Sequence, residues 1–411
     1  MKALHRITSS LLALCIIQSI VLASDWPQYR GPNRDGRSSE TDLLKSWPDS
    51  GPEVLWRSTL GSGYSGMAVV DDRVFTMFGD QGDEYAAAFD AATGEELWRF
   101  KMGRNLRNDQ GNGPRATPTV DGDLVFVMGA RSKLYALEVA TGELRWGMNL
   151  EKELGAKVPE WGTATSPLIE GQYLIVDVAG RTDHGVVAFD KETGEIAWHA
   201  GSHRSAYSSP IAVTIAGERQ IVLFVAEGLR GISARDGQRL WSSPWTTDYD
   251  VNAATPVFIP RNGIFISSGY DTGAALVQVL KEGDKFTVHQ VWRNRVMKNQ
   301  FNSSVLVGAY LYGFDMGTLK CIDALTGEEK WRARGGFSKG SLLYADGHLL
   351  VMGGSGNLGL VEATPEGFRS QSRVKILEGK TWTMPSLADG VLYARNFEEM
   401  VALRVAAEPD Q

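Results

Sequence analysis

The stretch from Ala88 to Phe100 returns along the chain with only local changes, and that repetition constrains the fold more than any other feature. It reads as a strand ending in Phe89, a tight turn from Asp90 to Gly94 and a return strand carrying Trp98. Thr-Gly supplies a turn residue that tolerates positive φ, and the alternating flanks with an aromatic mark half-buried strands. Copies run from Ala136 to Trp146, Ala188 to Trp198, Ser233 to Trp241 and Ile322 to Trp331; looser ones end at Trp292 and near Ile376. A hairpin repeated at this spacing cannot bury its apolar face alone, so neighbouring copies must stack. The 411 residues would allow two or three domains, but the repeats imply one body.

The Trp anchors fall at 56, 98, 146, 198, 241, 292 and 331, with Ile376 in the eighth place. Their spacing of 39 to 52 residues is the length of a four-stranded sheet with its turns. A second marker precedes each hairpin, a small or polar residue leading into an apolar strand, often through Pro. Its copies start at Ser65, Ala116, Thr165, Ser208, Ala254, Ser303, Gly340 and Thr383. Pro is tolerated at the first position of a strand, where no ladder bond is lost. The last unit lacks a Trp-type strand, and the first Trp-type strand, Val54-Leu55-Trp56, lacks a unit before it. The expected fold is therefore all-β: an eight-bladed β-propeller of four-stranded antiparallel blades, its ring closed by the N-terminal strand completing the last blade.

Lys2 and Arg6 precede an apolar run from Leu11 to Leu22, and Val21-Leu22-Ala23 is a small-residue cleavage pattern. Residues 1–23 read as a secretory signal peptide cleaved after about Ala23, too short for a transmembrane span. Cys15 follows Leu14 rather than a small residue, which argues against lipidation. The mature chain keeps only Cys321, so a disulfide framework is excluded and the core must hold the fold. Removing Lys2 and Arg6 leaves 40 basic against 49 acidic residues, with no basic stripe, so nucleic acid is not an expected partner. Residues 24–50, rich in Pro, Gly and Asn, read as an extension packed on the propeller through Trp26 and Tyr29; residues 51–405 form the propeller and 406–411 a tail.

The pattern Ala-x-Asp-x-x-Thr-Gly-x-x-x-Trp, with its Ser-Pro strand starts, resembles the pyrroloquinoline quinone (PQQ) repeat of quinoprotein alcohol dehydrogenases, over roughly Gly51 to Val405. It also resembles BamB, the non-catalytic propeller of the outer-membrane β-barrel assembly machinery. The first branch implies PQQ, a divalent cation held by oxygen ligands, a carboxylate base and usually adjacent cysteines. The second implies a protein-binding scaffold. Fold alone does not choose between them.

In a propeller the loop before each inner strand opens onto one end of the central channel. Tyr64, Arg115, Trp161, Tyr207, Asn252, Asn302, Lys339 and Trp382 occupy that position. Aromatic faces there could stack on a planar anionic ligand, with Arg115 or Lys339 pairing its carboxylates. The plainer reading is a channel mouth whose residues satisfy backbone groups and water. Asp248-x-Asp250-x-Asn252 is the best oxygen cluster, but it lacks the Gly and terminal Glu of a calcium loop and reads as a polar turn.

His199 and His203 are four apart, a zinc spacing only on a helix, and here they read as surface histidines. Gly353-Gly354-Ser355-Gly356 reads as a turn, and Cys321 as buried and inert. Adjacent cysteines and an assignable general base are missing from the sequence. The expectation is an exported, periplasmic or extracellular, non-enzymatic binding or scaffold protein of the cell envelope, without a cofactor or metal, that takes a protein or polymer through its loop face. The alternative is a periplasmic PQQ- and Ca²⁺-dependent dehydrogenase oxidising an alcohol or sugar.

Overall fold

The computed structural model describes residues 24–180 and 183–407; the segment read as a signal peptide, residues 1–23, and most of the expected tail lie outside the described residues. Eight four-stranded antiparallel sheets form the molecule. Blade 1 is Ala68–Val70, Arg73–Asp80, Asp83–Asp90 and Glu96–Arg104, from the innermost strand outward. Blades 2 to 7 follow in order over 119–149, 168–200, 211–244, 257–294, 305–333 and 340–375. Blade 8 takes three strands from 386–404 and its outermost strand, Glu53–Thr59, from the start of the propeller, paired antiparallel from Glu53↔Arg404 to Thr59↔Glu399. The ring thus closes as the repeat bookkeeping requires.

The repeated motif is a docking device between blades. Asp90 Oδ1 accepts the backbone N–H groups of Ala92 and Thr93 and the Thr93 hydroxyl at 2.8–3.0 Å, an Asx-type turn that brings Gly94 to φ +73. A Cβ on Gly94 would lie 2.6 Å from the Trp56 ring of the neighbouring blade, so only Gly lets that indole settle over the turn. The indole N–H then donates to the carbonyl just beyond the acidic turn residue, Asp or, at position 138, Glu: Trp56 to Ala91 at 2.8 Å, Trp98 to Val139 at 2.9 Å, Trp146 to Lys191 at 2.9 Å and Trp292 to Ala324 at 3.1 Å. A β-bulge recurs beside the Trp position in each blade, as between Ala88 and Phe89 opposite Trp98, and adds the local twist that aims the ring at its neighbour.

The eighth anchor is not Ile376. The register places Ser372 opposite Leu360, where other outer strands place Trp. Trp47, from the N-terminal extension, joins the apolar cluster of Leu360 and Ile376 there, and its backbone N–H donates to Ser372 Oγ at 2.8 Å. The extension thus adds a buried indole to the junction that lacks its own, though without the indole N–H bond made at other junctions.

The strand-start motif has an equally local cause. Inner strands are mostly three to six residues long, and their first backbone groups face the channel. Ser and Thr of adjacent blades satisfy them in turn. Thr117 N–H donates to Ser166 Oγ, Ser166 N–H to Ser209 Oγ and Thr255 N–H to Ser303 Oγ, each at 2.9 Å. Ser208 Oγ donates to Ala254 O, Ser341 Oγ to Thr383 O and Ser386 Oγ to Met67 O. These bonds tie the segments leading into neighbouring inner strands to one another around the ring, and a parallel bridge between Tyr207 and Asn252 joins two of them as well.

Residues 24–50 run across the end of the channel away from the Tyr64 and Arg115 loops. Trp26 pairs with Val69, Pro27 O accepts the Val120 N–H, Gly36 and Ser38 bond Tyr344, and Leu44 bonds Val405. From this strap two arginines enter the channel. Arg34 donates to Ser166 O and Pro167 O at 3.0 and 2.7 Å, and Arg30 to Ser304 O at 2.8 Å. Both are buried, with relative exposures of 3 % and 2 %. Arg30 also donates to the carbonyls of Arg34 and Asp35.

His203 departs from its sequence reading. Gly201, at φ +67, turns the chain inward after the strand Ile196–Ala200, and His203 is buried with Nε2 2.7 Å from Asp177 Oδ1. His199 is exposed and stacks on His184 at 4.1 Å between ring centroids. Cys321 is fully buried and burial pushes its thiol up to about 12, which leaves it unreactive. Among the described residues no helix is long and apolar enough to cross a membrane.

Candidate functional site

With one end strapped shut, the channel becomes a funnel open at the other. Its cavity measures about 310 Å³, at the small end of ligand pockets. Tyr29 and Arg30 form part of the floor, and the wall comes from the loops that lead into the inner strands. The lining includes Tyr64, Arg115, Trp161, Tyr207, Asn302 and Trp382 from the sequence prediction, which therefore converge at one point.

Asn252 does not reach the cavity. Its amide is fully buried, donating to Val225 O at 2.9 Å and accepting the Ser268 hydroxyl at 2.8 Å, while Ala253 and Val251 line the wall beside it. Lys339 lies outside the lining, its Nζ 6.0 Å from the centroid of the Trp382 ring. Asp250 is drawn into an ion pair with Arg204, so Asp248, Asp250 and Asn252 do not form one oxygen cluster.

The rim is an aromatic ladder. Phe301 stacks on Trp382 with centroids 4.7 Å apart and planes 24° from parallel; Tyr64 lies 5.9 Å further on at 16°. Lys380 caps the ladder, 4.3 Å above the Trp382 ring, and its ammonium donates to Gln110 O at 3.0 Å. Across the mouth, Trp161 and Tyr207 meet at 5.6 Å. Tyr207 holds φ +76, a left-handed conformation rare for a bulky side chain. Burial pushes the phenols of Tyr64 and Tyr207 up to about 12, so both are neutral hydroxyls at physiological pH.

Arg115 is the cation of the wall. It donates to the carbonyls of Gly111, at 2.7 Å, and Gly113 in its own loop, which hold the guanidinium without neutralising it. Burial depresses its pKa, opposed by Tyr64 and by the carboxylate of Glu84. Glu84 is behind the wall and occupied: it accepts N–H bonds from Leu106 at 3.3 Å and Ala130 at 3.1 Å, and burial raises its pKa. None of the cavity-lining residues is Asp, Glu, His or Cys. Two amide oxygens of the lining, Gln300 Oε1 and Asn302 Oδ1, have no hydrogen-bond partner, although Asn302 is buried to 6 % exposure with its Nδ2 bound to Gly340 O.

The sequence reading missed Phe301, Tyr270 and Arg30 in this site; Gln300 belongs to the segment Lys298-Asn299-Gln300 that the sequence places just upstream of the mouth. Phe301 directly precedes the predicted Asn302, so taking the whole loop rather than one residue per blade would have found it. The signal for Arg30 and Arg34 was a pair of arginines set among Gly31, Pro32 and Gly36.

Eight four-stranded blades, with a Trp set against a turn Gly at five of their junctions among the described residues, define a PQQ-like β-propeller. A family model described as outer membrane protein assembly factor BamB matches residues 82–333, more than half of the chain, and the chain belongs to that family. It is 25% identical over 217 residues to the outer membrane protein assembly factor BamB of Burkholderia pseudomallei, covering 51% of each. It is also 24% identical over 191 residues to the quinoprotein alcohol dehydrogenase PedH of Pseudomonas putida, covering 44% of this chain and 29% of that one. The aligned regions thus span about half or less of the length of these relatives. Among solved structures, BamB from Moraxella catarrhalis superposes with a TM-score of 0.59 at 14% identity, covering 87% of this chain and all of that one. The quinohemoprotein alcohol dehydrogenase of Comamonas testosteroni gives 0.65 at 12%, covering 94% and 81%. These likenesses are of fold.

A PQQ site can be tested against the residues present. The aromatic wall and Arg115 suit a flat anion. A hard cation needs several oxygen ligands at one point, and a dehydrogenase needs a carboxylate base at the quinone. The lining carries no carboxylate, and no group of three metal-ligating side chains occurs among the described residues. The metal and base functions do not fit this wall.

Proposed function

We propose that the protein is an exported, non-enzymatic propeller that binds an envelope protein or polymer through its loop face, with the funnel as its recognition site. The observation that carries this reading is the composition of the wall: aromatic rings, neutral phenols, amides and an arginine, with no group able to accept a proton from a substrate near neutral pH. Such a surface supplies stacking and hydrogen bonding, the means of recognition. The apolar leader with its Val21-Leu22-Ala23 end supports export, and the BamB relative, named for outer-membrane protein assembly, supports a partner in the envelope.

The alternative, a PQQ-dependent dehydrogenase acting on an alcohol or sugar, draws support from the flat aromatic walls, from Arg115 and from the quinoprotein relative. Calorimetric titration with PQQ, with and without Ca²⁺, separates the two, followed by alcohols and sugars with an artificial electron acceptor. The binding reading expects no Ca²⁺-dependent saturation and no acceptor reduction. Reduction of the acceptor by any of these substrates would overturn it.

A further inference from the structure

The first residues of the strap meet the last blade among like charges. Ser24 N–H donates to Asp389 Oδ1 at 2.7 Å, and the Ser24 side chain is hydrogen-bonded to Glu40. Glu40 also accepts the Gly390 N–H at 2.6 Å, and Asp25 accepts the Asp71 N–H at 3.1 Å. Burial raises the pKa of Asp25 and of Glu40, and the neighbouring charge of Asp389 raises both further. Burial and then the charges of Asp389, Asp90 and Glu40 also push up the phenol of Tyr393. Anionic groups thus crowd this corner from the strap, from the Asp71 and Asp90 turns of blade 1 and from blade 8.

No cation answers them. Cations close by in the sequence are engaged elsewhere: Arg37 over the Tyr344 ring, Lys45 on Asp346, Arg73 on Asp72 and Arg30 on backbone carbonyls. The carboxylates do not converge on a metal position either, since no group of three metal-ligating side chains occurs among the described residues. Like charges gathered without a counter-charge oppose one another's ionisation, and one ammonium among them would relieve that.

The chain can supply that ammonium at one atom. Val21-Leu22-Ala23 is a small-residue cleavage pattern, and the nitrogen that cleavage after Ala23 would free is that of Ser24. The same nitrogen is the one that the fold sets beside Asp389. We propose, resting on the export reading above, that Asp389 and Glu40, with Asp25 beside them, form a socket for a new N-terminus at Ser24, so that removal of the leader completes the seal of the strapped end. An envelope endopeptidase hydrolyses the Ala23–Ser24 peptide bond; water gives its hydroxyl to the Ala23 carbonyl carbon and a hydrogen to the Ser24 nitrogen. The amine takes one more proton at neutral pH, its ordinary pKa being near 8. The pair then ties the start of the strap to the turn between Ser386–Ala388 and Val391–Arg395.

Export of the full chain from a bacterial cell, followed by mass spectrometry of its N-terminal peptide, gives the cleavage point; Ser24 should be the first residue. Processing at any other residue would overturn the proposal and leave the export reading standing, whereas a leader retained throughout would overturn both. The socket itself is tested on two folded proteins, one beginning at Ser24 and one with three glycines ahead of it. The glycines keep the amide N–H of Ser24 in place while carrying the ammonium up to about 10 Å away, roughly a Debye length. The pH profile of α-amine acylation, read on the N-terminal peptide, should place the midpoint of the Ser24 amine about one unit or more above that of the glycine-extended chain. Asp389→Asn and, independently, Glu40→Gln should each bring that midpoint down. Asp389 holds φ +50 in the turn before Gly390, a conformation that Asn also tolerates, so the first variant keeps the turn. An amine whose pKa is higher folded than unfolded adds stability that is present below the unfolded value, near 8, and is lost as the pH rises through the folded one. The higher urea midpoint of the Ser24 chain at pH 7 should therefore fall to that of the glycine-extended chain by about pH 10. Equal amine midpoints in the two chains, or no change in either variant, would overturn the proposal.

Discussion

The two ends of the channel are built on the same eight inner strands and differ in what finishes them. At the strapped end, residues 24–50 satisfy strand ends, place Trp26 and Trp47 in the core and spend two arginines on carbonyls of opposite sides of the ring. At the open end, long loops present half-exposed aromatics and leave amide oxygens unpaired. The first arrangement is a stabilising seal. The second leaves aromatic rings and an arginine around an open cavity, while buried polar atoms stay unpaired at both ends, Arg34 Nε and Trp47 Nε1 in the strap and Gln300 Oε1 and Asn302 Oδ1 beneath the mouth.

That contrast makes the strapped end the more sensitive to truncation. Trp26 is 1% exposed, pairs with Val69 through its backbone and lies within the largest apolar cluster, whereas Trp161 is partly exposed. Trp26→Ala should lower the unfolding free energy by about 3–5 kcal/mol. Trp161→Ala should cost under about 2 kcal/mol, because a ring partly in water loses less on removal. Urea denaturation of both variants measures the difference; equal losses would erase the distinction between seal and mouth.

A subtler comparison pairs the arginines. Arg34→Met keeps most of the apolar stem but strips the donors from Ser166 O and Pro167 O, a loss of about 2 kcal/mol from carbonyls left buried. Arg115→Met frees only the carbonyls of Gly111 and Gly113 at the mouth, where water can replace the guanidinium, and should cost under about 1 kcal/mol. Arg115→Met should instead abolish preference for anionic ligands, and Arg34→Met should leave it intact. Reversal of either pair of effects would mean that the charge of the funnel resides in its floor.

How far the sequence foretells these ends follows from the range of the forces that build each. The blade code is local: Asp90, Thr93 and Gly94 build their own turn, and Trp56 needs only that turn to dock. Repetition made it legible, together with the count of blades and the closing strand. The mouth was legible as a set of loops, since topology alone brings Tyr64, Arg115, Trp161, Tyr207, Asn302 and Trp382 together. It was not legible which way each side chain turns. Asn252, held by Val225 and Ser268, and Tyr207, held at positive φ, sit at matching loop positions with opposite outcomes. Least visible were contacts between distant segments, such as the Trp47 backbone N–H donating to Ser372 and Arg30 reaching Ser304, which no periodicity encodes.

The smallest expected effect concerns Glu84, the one buried carboxylate tied to both the mouth loops and Arg115. Burial raises its pKa above the usual glutamate range, against the pull of its two N–H donors. A carboxyl whose pKa is higher folded than unfolded contributes stability that is present below the unfolded value, near 4.5, and is lost as the pH rises through the folded one. Glu84→Gln keeps an oxygen to accept one of the N–H groups but cannot ionise. Its loss of the other bond is a constant offset of about 1 kcal/mol, while the pH-dependent part disappears. The wild type should therefore lose stability relative to Glu84→Gln as the pH is raised from about 4 toward neutrality, a slope read from urea midpoints at several pH values. The opposite slope would mean that the field of Arg115 outweighs burial at Glu84, so that the mouth's cation is already paired and less of its charge is left for a ligand.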